Sequence, residues 1–325
     1  MQQKLLHWYA KNGRHDLPWR NTDNIYHIYL SEIMLQQTQV ERVKNEFYFQ
    51  FLEKFPTLKA LGDADLDAVF GAWSGLGYYR RAKNLHASAK LCGGVLPKSV
   101  EELKKLPGIG EYTASAVCSF GYNQAVAVVD TNIKRVLQRH GAMLDATEKQ
   151  IKKYALKLLN TKKPREHNLA LMDLGSLICT PINPNCKACP LSITCNGKDE
   201  PELYTKKRKT RYENLELFLG VCIKENKVAL IPSQDNMYKG MLTLPHVDPI
   251  EDDYLGSFKH AYTKYRITVK LYKATQVTQE AKWVKLDALH SAPISSLVKK
   301  SLQFFCNTKL PYTKPTQNLS TITLQ

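Results

Sequence analysis

Four cysteines fall within seventeen residues, Cys179, Cys186, Cys189 and Cys195, in the spacing Cys-x6-Cys-x2-Cys-x5-Cys. Pro181, Pro184 and Pro190 interrupt the same stretch. Each removes a backbone donor, so no helix or sheet ladder can run through it. A segment without a ladder needs another tie. The opening MQQKLLHWYAKNG has no apolar core followed by a small-residue cleavage site, and no apolar run in the chain is long enough to span a bilayer. A cytoplasmic setting is therefore expected, where disulfides are scarce, and the four cysteines read as a metal site. A structural zinc usually takes two Cys-x2-Cys pairs. One such pair with uneven spacing suits a 4Fe–4S cubane held by four thiolates. Cys92, Cys118, Cys222 and Cys306 are scattered.

At 325 residues the chain can hold two domains with a sizeable core. Its 43% hydrophobic and 23% charged content is ordinary for a soluble globular protein, whereas its net charge of +16 is not. Excess Lys and Arg on a folded protein points to a polyanionic partner, nucleic acid or an anionic membrane surface.

An amphipathic helix, LLHWYAKNG, ends at Gly13 and gives way to the loop RHDLPWR. Helical patterning then dominates from residue 25 to about 178. LSEIMLQQTQV, Leu30 to Val40, reads as helix running on from Ile25. Ile25, Ile28 and Leu35 recur on one stripe, and Glu32 falls on it, four residues after Ile28 and three before Leu35. A carboxylate on a face due for burial either pairs with a nearby Arg or cap, or marks function. Gln36, Gln37 and Thr38 follow as a polar cluster facing a ligand or solvent. GLGYYRRAKNLHASAKL opens with a glycine-punctuated turn and continues as a basic helix, and Ser99 with Glu102 forms a capping box.

LPGIGEYTA, Leu106 to Ala114, has two helices flanking a tight turn at Pro107, Gly108 and Gly110. Glycines let the backbone come close to a phosphate, and amides opening the next helix point at it. Such a hairpin grips a duplex without reading bases; a plain αα-hairpin turn is the other reading. The apolar run Ala125 to Val129 ends at Asp130, placed to cap a helix bearing Lys134, Arg135 and Arg139. Capping leaves a second role open to it. Residues 200–213 read as a linker, with five basic residues among the six from Lys206 to Arg211; it is either simply solvated or lies along DNA. LELFLGVCI, KVALIPS and RITVKLYKA read as strands, with a turn at Glu225–Asn226, and WVKLDALHSAPISSLVKKSLQFF as a short strand followed by helices. Residues 307–325, rich in Thr, Pro, Gln and Ser, are expected to be disordered.

LSEIMLQQTQV, GLGYYRRAKNLH, LPGIGEYTAS, VVDTNIKRV and the cysteine array, in this order, resemble the MutY-type adenine DNA glycosylases, which share the helix–hairpin–helix superfamily with endonuclease III. The resemblance is dense over residues 4–195 and weak to about 306. It implies a mainly α fold: a helix–hairpin–helix DNA glycosylase core with an iron–sulfur cluster loop, plus a C-terminal α/β Nudix-like domain. The implied boundaries are 1–199 for the helical domain, with a six-helix barrel at about 21–130 and the iron–sulfur part at 1–20 and 131–199. The basic linker at 200–213 and an 8-oxoguanine recognition domain at 214–306 follow.

The implied reaction is removal of adenine mispaired with 8-oxoguanine or guanine. Adenine is a poor leaving group and must be protonated. A carboxyl in an apolar pocket keeps its proton near neutral pH, and the resemblance gives that role to Glu32. A second carboxylate stabilises the oxocarbenium-like sugar, electrostatically or through a transient covalent bond, and this role falls to Asp130. The base leaves the stack first.

By the same resemblance Gln37 corresponds to a wedge in the stack, beside Gln36 at the pocket edge. Tyr78 corresponds to a side chain inserted next to 8-oxoguanine. Leu17, Trp19 and Arg20 correspond to the adenine pocket wall, and Asn132 to an asparagine after the catalytic Asp. Tyr112 stands where endonuclease III has a catalytic lysine; tyrosine cannot form a Schiff base, so a monofunctional enzyme is implied. Thr263, within Tyr262 to Lys264, corresponds to a hydroxyl for the damaged base.

Thr131, Leu169, Lys264 and His15 depart from the family pattern and bear on fine recognition. The implied cofactor is one 4Fe–4S cluster. The implied partner is double-stranded DNA with the mispair, bound by a nucleoid-associated bacterial monomer without membrane contact. A bifunctional glycosylase for oxidised pyrimidines and a non-catalytic DNA-binding paralogue are the competing readings.

Overall fold

The computed structural model describes residues 1–204, 211–233, 237–238, 241–277, 280–289 and 292–308. Most of the expected basic linker (205–210) and the tail from 309 lie outside the described residues. The chain divides into two compact units, residues 1–63 with 84–204, and residues 64–83 with the described part from 211 onward.

The first unit is helical. Its central helix, Ile25–Met34, is capped by Asn24, whose side-chain oxygen accepts from the N–H groups of Tyr26 (3.0 Å) and His27 (3.4 Å). All eight residues from Tyr26 to Met34 other than His27 are buried. The one-sided stripe through Ile25, Ile28 and Leu35 was therefore too narrow an expectation; this helix is enclosed nearly all round. It also stops at Met34 instead of running to Val40. Gln37 adopts φ 58°, in the left-handed region, and a new helix begins at Val40. No Gly or Pro announces that break.

Against this helix pack Glu111–Ala116 and Val117–Gly121, while Gln2–Asn12 and Thr131–His140 pack on Pro164–Leu177. They share one core through Leu5, Ile28, Phe120, Ile133, Leu137 and Leu174. Each such side chain contributes about 1.5–3 kcal/mol on burial, which fixes the segments bearing Glu32 and Asp130 against each other. Pro164 opens its helix where a missing N–H is harmless. The same helix carries Asn168, which is buried. Its Oδ1 accepts the Val128 N–H (3.2 Å), and its Nδ2 donates to the carbonyls of Val126 (2.9 Å) and Pro164 (3.0 Å) and to Ser119 Oγ (2.8 Å). One amide thus serves the extended run leading to Asp130.

The second unit is strand-rich. In one sheet β1 (Glu213–Val221) runs parallel to β6 (Tyr265–Lys273), with Glu213 opposite Tyr265, and β5 (Tyr254–Tyr262) pairs antiparallel to β6. The other sheet holds β2 (Ile223–Lys224), β3 (Lys227–Pro232), β4 (Leu242–Thr243) and β7 (Lys282–Lys285). The turn at Glu225–Asn226 takes left-handed φ values of 46° and 59°, as a tight hairpin between β2 and β3 requires. The helix Ser296–Thr308 completes the core through Leu297, Val298, Leu302 and Phe305. β5 was not expected from the sequence. It is an edge strand broken in register near Gly256, and its burial pattern never reaches a fully buried residue.

Candidate active site

Glu32 sits on the central helix, 7% exposed, and its Oε2 accepts a 2.7 Å hydrogen bond from the Tyr112 hydroxyl. Burial pushes its carboxyl up to about 7; the Tyr112 hydroxyl opposes this, the negative charge of Asp130 adds to it, and Arg20 opposes it. Asp130 caps the helix Thr131–His140. Its Oδ1 accepts the Ile133 N–H at 2.6 Å and its Oδ2 accepts from Asn132 Nδ2 at 3.0 Å. Burial raises its pKa too, while those two donors work to keep it ionised. The helix N-terminus favours the anion as well. Asn132 is held in turn, since Arg135 Nη2 donates to its Oδ1 (2.9 Å), and Arg135 Nε donates to the Cys179 carbonyl (2.7 Å). Gly175 is required where it packs: a Cβ there would stand 2.7 Å from Asn132 Cβ.

Glu32 and Asp130 line one cavity of about 1030 Å³, together with Leu17, Trp19, Arg20, Gln36, Tyr112 and Asn132. Leu169, Met172 and Ser176 present one face of the Pro164–Leu177 helix to it, at helical spacing. Leu169 gives that face an apolar contact and no hydrogen bond. The Leu17–Arg20 wall is fastened from behind. Arg20 makes a bidentate pair with Asp173, Nη1 to Oδ2 at 2.5 Å and Nη2 to Oδ1 at 2.8 Å. Arg20 lines this cavity, yet its guanidinium is already engaged by Asp173.

The other expected residues lie elsewhere. Gln37 is exposed on its left-handed turn and does not line the cavity. Tyr78, 44% exposed with φ 49°, lies in the second unit, with the Arg81 guanidinium 5.6 Å from its ring centroid. Gly108 has φ 76°, and a Cβ there would lie 2.7 Å from Asn84 Nδ2, so glycine is required for the hairpin. Gly110 caps the helix that begins at Glu111 and faces open space. Thr263, at φ 50°, forms with Lys264 the exposed two-residue turn between β5 and β6. Lys264 is paired with Glu213 at 2.5 Å.

Cys179, Cys186, Cys189 and Cys195 are free thiols that line one small cavity with Arg139. Arg139 Nη1 donates to Cys179 Sγ (3.4 Å) and to the Thr180 carbonyl (2.7 Å), and Nη2 donates to the Pro181 carbonyl (3.1 Å). Burial, then its three cysteine neighbours, push the Cys189 thiol up to about 11. Among the described residues, no group of three or more His, Cys, Asp or Glu is gathered tightly enough for a single metal ion. The set is nevertheless all sulfur, shared by one cavity and walled by a guanidinium, a donor set that fits an anionic thiolate-held metal centre.

The chain matches the HhH-GPD superfamily of base excision DNA repair proteins over residues 30–161. It is 35% identical to the adenine DNA glycosylase of Buchnera aphidicola subsp. Acyrthosiphon pisum, over 75% of this chain and 73% of that protein. The chain belongs to the adenine DNA glycosylase family. The enzyme of the same name from Buchnera aphidicola subsp. Baizongia pistaciae is 42% identical over 71% of this chain, and the match covers 63% of that relative's own length. Among solved structures, a thermostable thymine-DNA glycosylase superposes with a TM-score of 0.57 at 29% identity, covering 61% of this chain and 94% of that one. An endonuclease III–DNA complex superposes with a TM-score of 0.53 at 21% identity, a likeness of fold.

For a member of this family, sequence reasoning passed over two side chains. Asn168 and Asp173 lie in a helix that reads as an ordinary core segment. An uncharged amide and a lone acid among Leu, Ala and Met were the available signal. The bond from Tyr112 to Glu32 was also missed, since the two stand eighty residues apart in the chain.

Proposed function

We propose that this chain is a monofunctional adenine DNA glycosylase that hydrolyses the N-glycosidic bond of adenine opposite 8-oxoguanine or guanine. One observation carries the reading: a buried carboxyl held near neutral pKa shares a cavity with a second carboxylate seated on a helix N-terminus. Glu32 delivers its proton to a ring nitrogen of the extruded adenine, and the C–N bond electrons leave with the base. Asp130 stabilises the oxocarbenium-like sugar. Glu32, now a carboxylate, takes a proton from the water that adds to the anomeric carbon. Adenine and an abasic site result. In support of the monofunctional reading, Tyr112 carries no amine beside Glu32, and the lysine that lines the cavity, Lys134, is ion-paired with Glu148.

Cys179, Cys186, Cys189 and Cys195 would hold one 4Fe–4S cluster. When bound it ties the loop that carries them, and it can store an electron. The strand-rich unit, proposed to be Nudix-like, would recognise 8-oxoguanine, with Thr263 offered at the β5–β6 turn. Gln37 and Tyr78, exposed on left-handed turns, are suited to enter a base stack. The net charge of +16 suits a duplex partner, bound here by a monomer.

A nicking assay tests the reading. A duplex with adenine opposite 8-oxoguanine is incubated with wild type and Glu32→Gln, then treated with or without alkali. Strand breaks are expected only for wild type and only after alkali. Breaks without alkali, or an adduct trapped by borohydride, would establish a lyase instead.

A further inference from the structure

One buried carboxylate takes no part in this chemistry. Asp173, 0% exposed, follows Met172 on the Pro164–Leu177 helix. It accepts from the Arg14 backbone N–H (2.9 Å), Arg14 Nε (2.8 Å), Arg20 Nη1 (2.5 Å) and Arg20 Nη2 (2.8 Å). The two arginines bracket Leu17 and Trp19, the apolar part of the cavity wall. Between them the backbone makes a turn closed by the Leu17 N–H on the Arg14 carbonyl (3.5 Å) and the short 3-10 helix Pro18–Arg20, and the side-chain ties to Asp173 fasten this wall to the Pro164–Leu177 helix.

Arg20 also acts on Glu32 through its charge. A bare guanidinium there would draw the proton from the acid; the bidentate partner Asp173 sets an opposite charge against it. We infer that Asp173 is a positioning residue: it pins the wall of residues 14–20 and neutralises Arg20 beside Glu32, so that the acid keeps its proton. The inference rests on Glu32 being the acid. Glu32 is faced by the Tyr112 hydroxyl from the Glu111–Ala116 helix, by the Asp130 carboxylate from its cap and by Arg20 from the wall. Arg14, Arg165 and Lys134 line the same cavity. Arg14 shares Asp173, Arg165 is engaged by Asp23 and the carbonyls of Arg20 and Thr22, and Lys134 is held by Glu148.

The test follows single-turnover adenine release from the adenine:8-oxoguanine duplex between about pH 5.5 and 9, and Glu32 titration by carbon NMR of the side-chain carboxyls. Asp173→Asn keeps the shape and loses the charge. Its rate is expected to fall with rising pH about one unit earlier than wild type, giving up to about tenfold loss at alkaline pH and little at acid pH. The Glu32 titration moves down with it. The double variant Asp173→Asn/Arg20→Gln returns that midpoint to wild type or above. A loss equal at every pH, with Glu32 titrating unmoved, would reduce Asp173 to a fold residue and overturn the inference. Should Asp173→Asn not fold, Arg20→Gln opens the pair from the other side; the Glu32 midpoint must then rise, and an unmoved midpoint overturns the inference. Wild type that releases no adenine defeats the proposed function instead, and the NMR titration still decides the electrostatic claim.

Discussion

Glu32 and Asp173 are both enclosed by the helical unit, 7% and 0% exposed, and burial pushes both towards the neutral acid. Their surroundings then diverge. Glu32 receives one hydroxyl and faces the like charge of Asp130, so burial prevails and its carboxyl stands at about 7. Asp173 collects four N–H bonds from two arginines; for it burial is the largest single influence, yet Arg20 and Arg14 together outweigh it and hold it below the ordinary carboxylate value. The donors around a buried acid, more than its depth, decide whether it becomes a proton donor or a fixed counter-ion.

The stability consequences have opposite signs. Glu32 binds its proton more tightly folded than unfolded. Its contribution is full below about 4.5 and is lost as pH rises through about 7. Asp173 binds its proton less tightly folded. Its contribution is present above 3.8 and is lost as pH falls through the lower folded value.

The largest effect expected from breaking this contrast is at Glu32. Glu32→Gln should lower adenine release by about 10²–10⁴-fold. It should also raise stability at pH 8 by about 3 kcal/mol, since it removes an acid that resists ionisation. Single-turnover rates and urea unfolding across pH read the two; a variant that loses activity without gaining stability would mean that Glu32 is not held protonated. Asp173→Ala comes next. It leaves two guanidinium groups without their carboxylate and should cost about 3–5 kcal/mol in urea unfolding at neutral pH. A loss under about 1 kcal/mol would place the arginines in solvent. The smallest change sharpens the Glu32 side alone. Tyr112→Phe removes a donor that favours the ionised acid, so the alkaline fall in rate should move up by at most about one pH unit, at a stability cost of about 1 kcal/mol. A downward shift would show that the hydroxyl serves the protonated form.

Much of the candidate active-site cavity was legible because local chemistry announced it. Glu32 stood out as an acid among apolar neighbours, Asp130 as a cap at the end of an apolar run, and Gly108 as a residue only a tight turn demands. Asp173 was not legible. Nothing within LALMDLGSL says that its partners are Arg14 and Arg20, and pairing across about 150 residues is a tertiary fact. The helix end at Met34 was hidden for a related reason: Gln36 and Gln37 are good helix formers, and the break there overrides their propensity. In the strand-rich unit β1 and β6 carried clear β-branched and apolar runs, whereas β5, at the sheet edge with Gly256, Lys259 and His260, had none.

The Asn168 side chain has one further consequence. Its Oδ1 is the acceptor for the Val128 amide, and both groups are buried. That amide can exchange its hydrogen with solvent only when the Pro164–Leu177 helix lets go of the run that ends at Asp130. Its exchange rate is therefore a local clock for loosening of the Asp130 segment, readable in the resting protein with no DNA present. In Asn168→Leu that clock should run fast while amides in the second unit keep their wild-type protection.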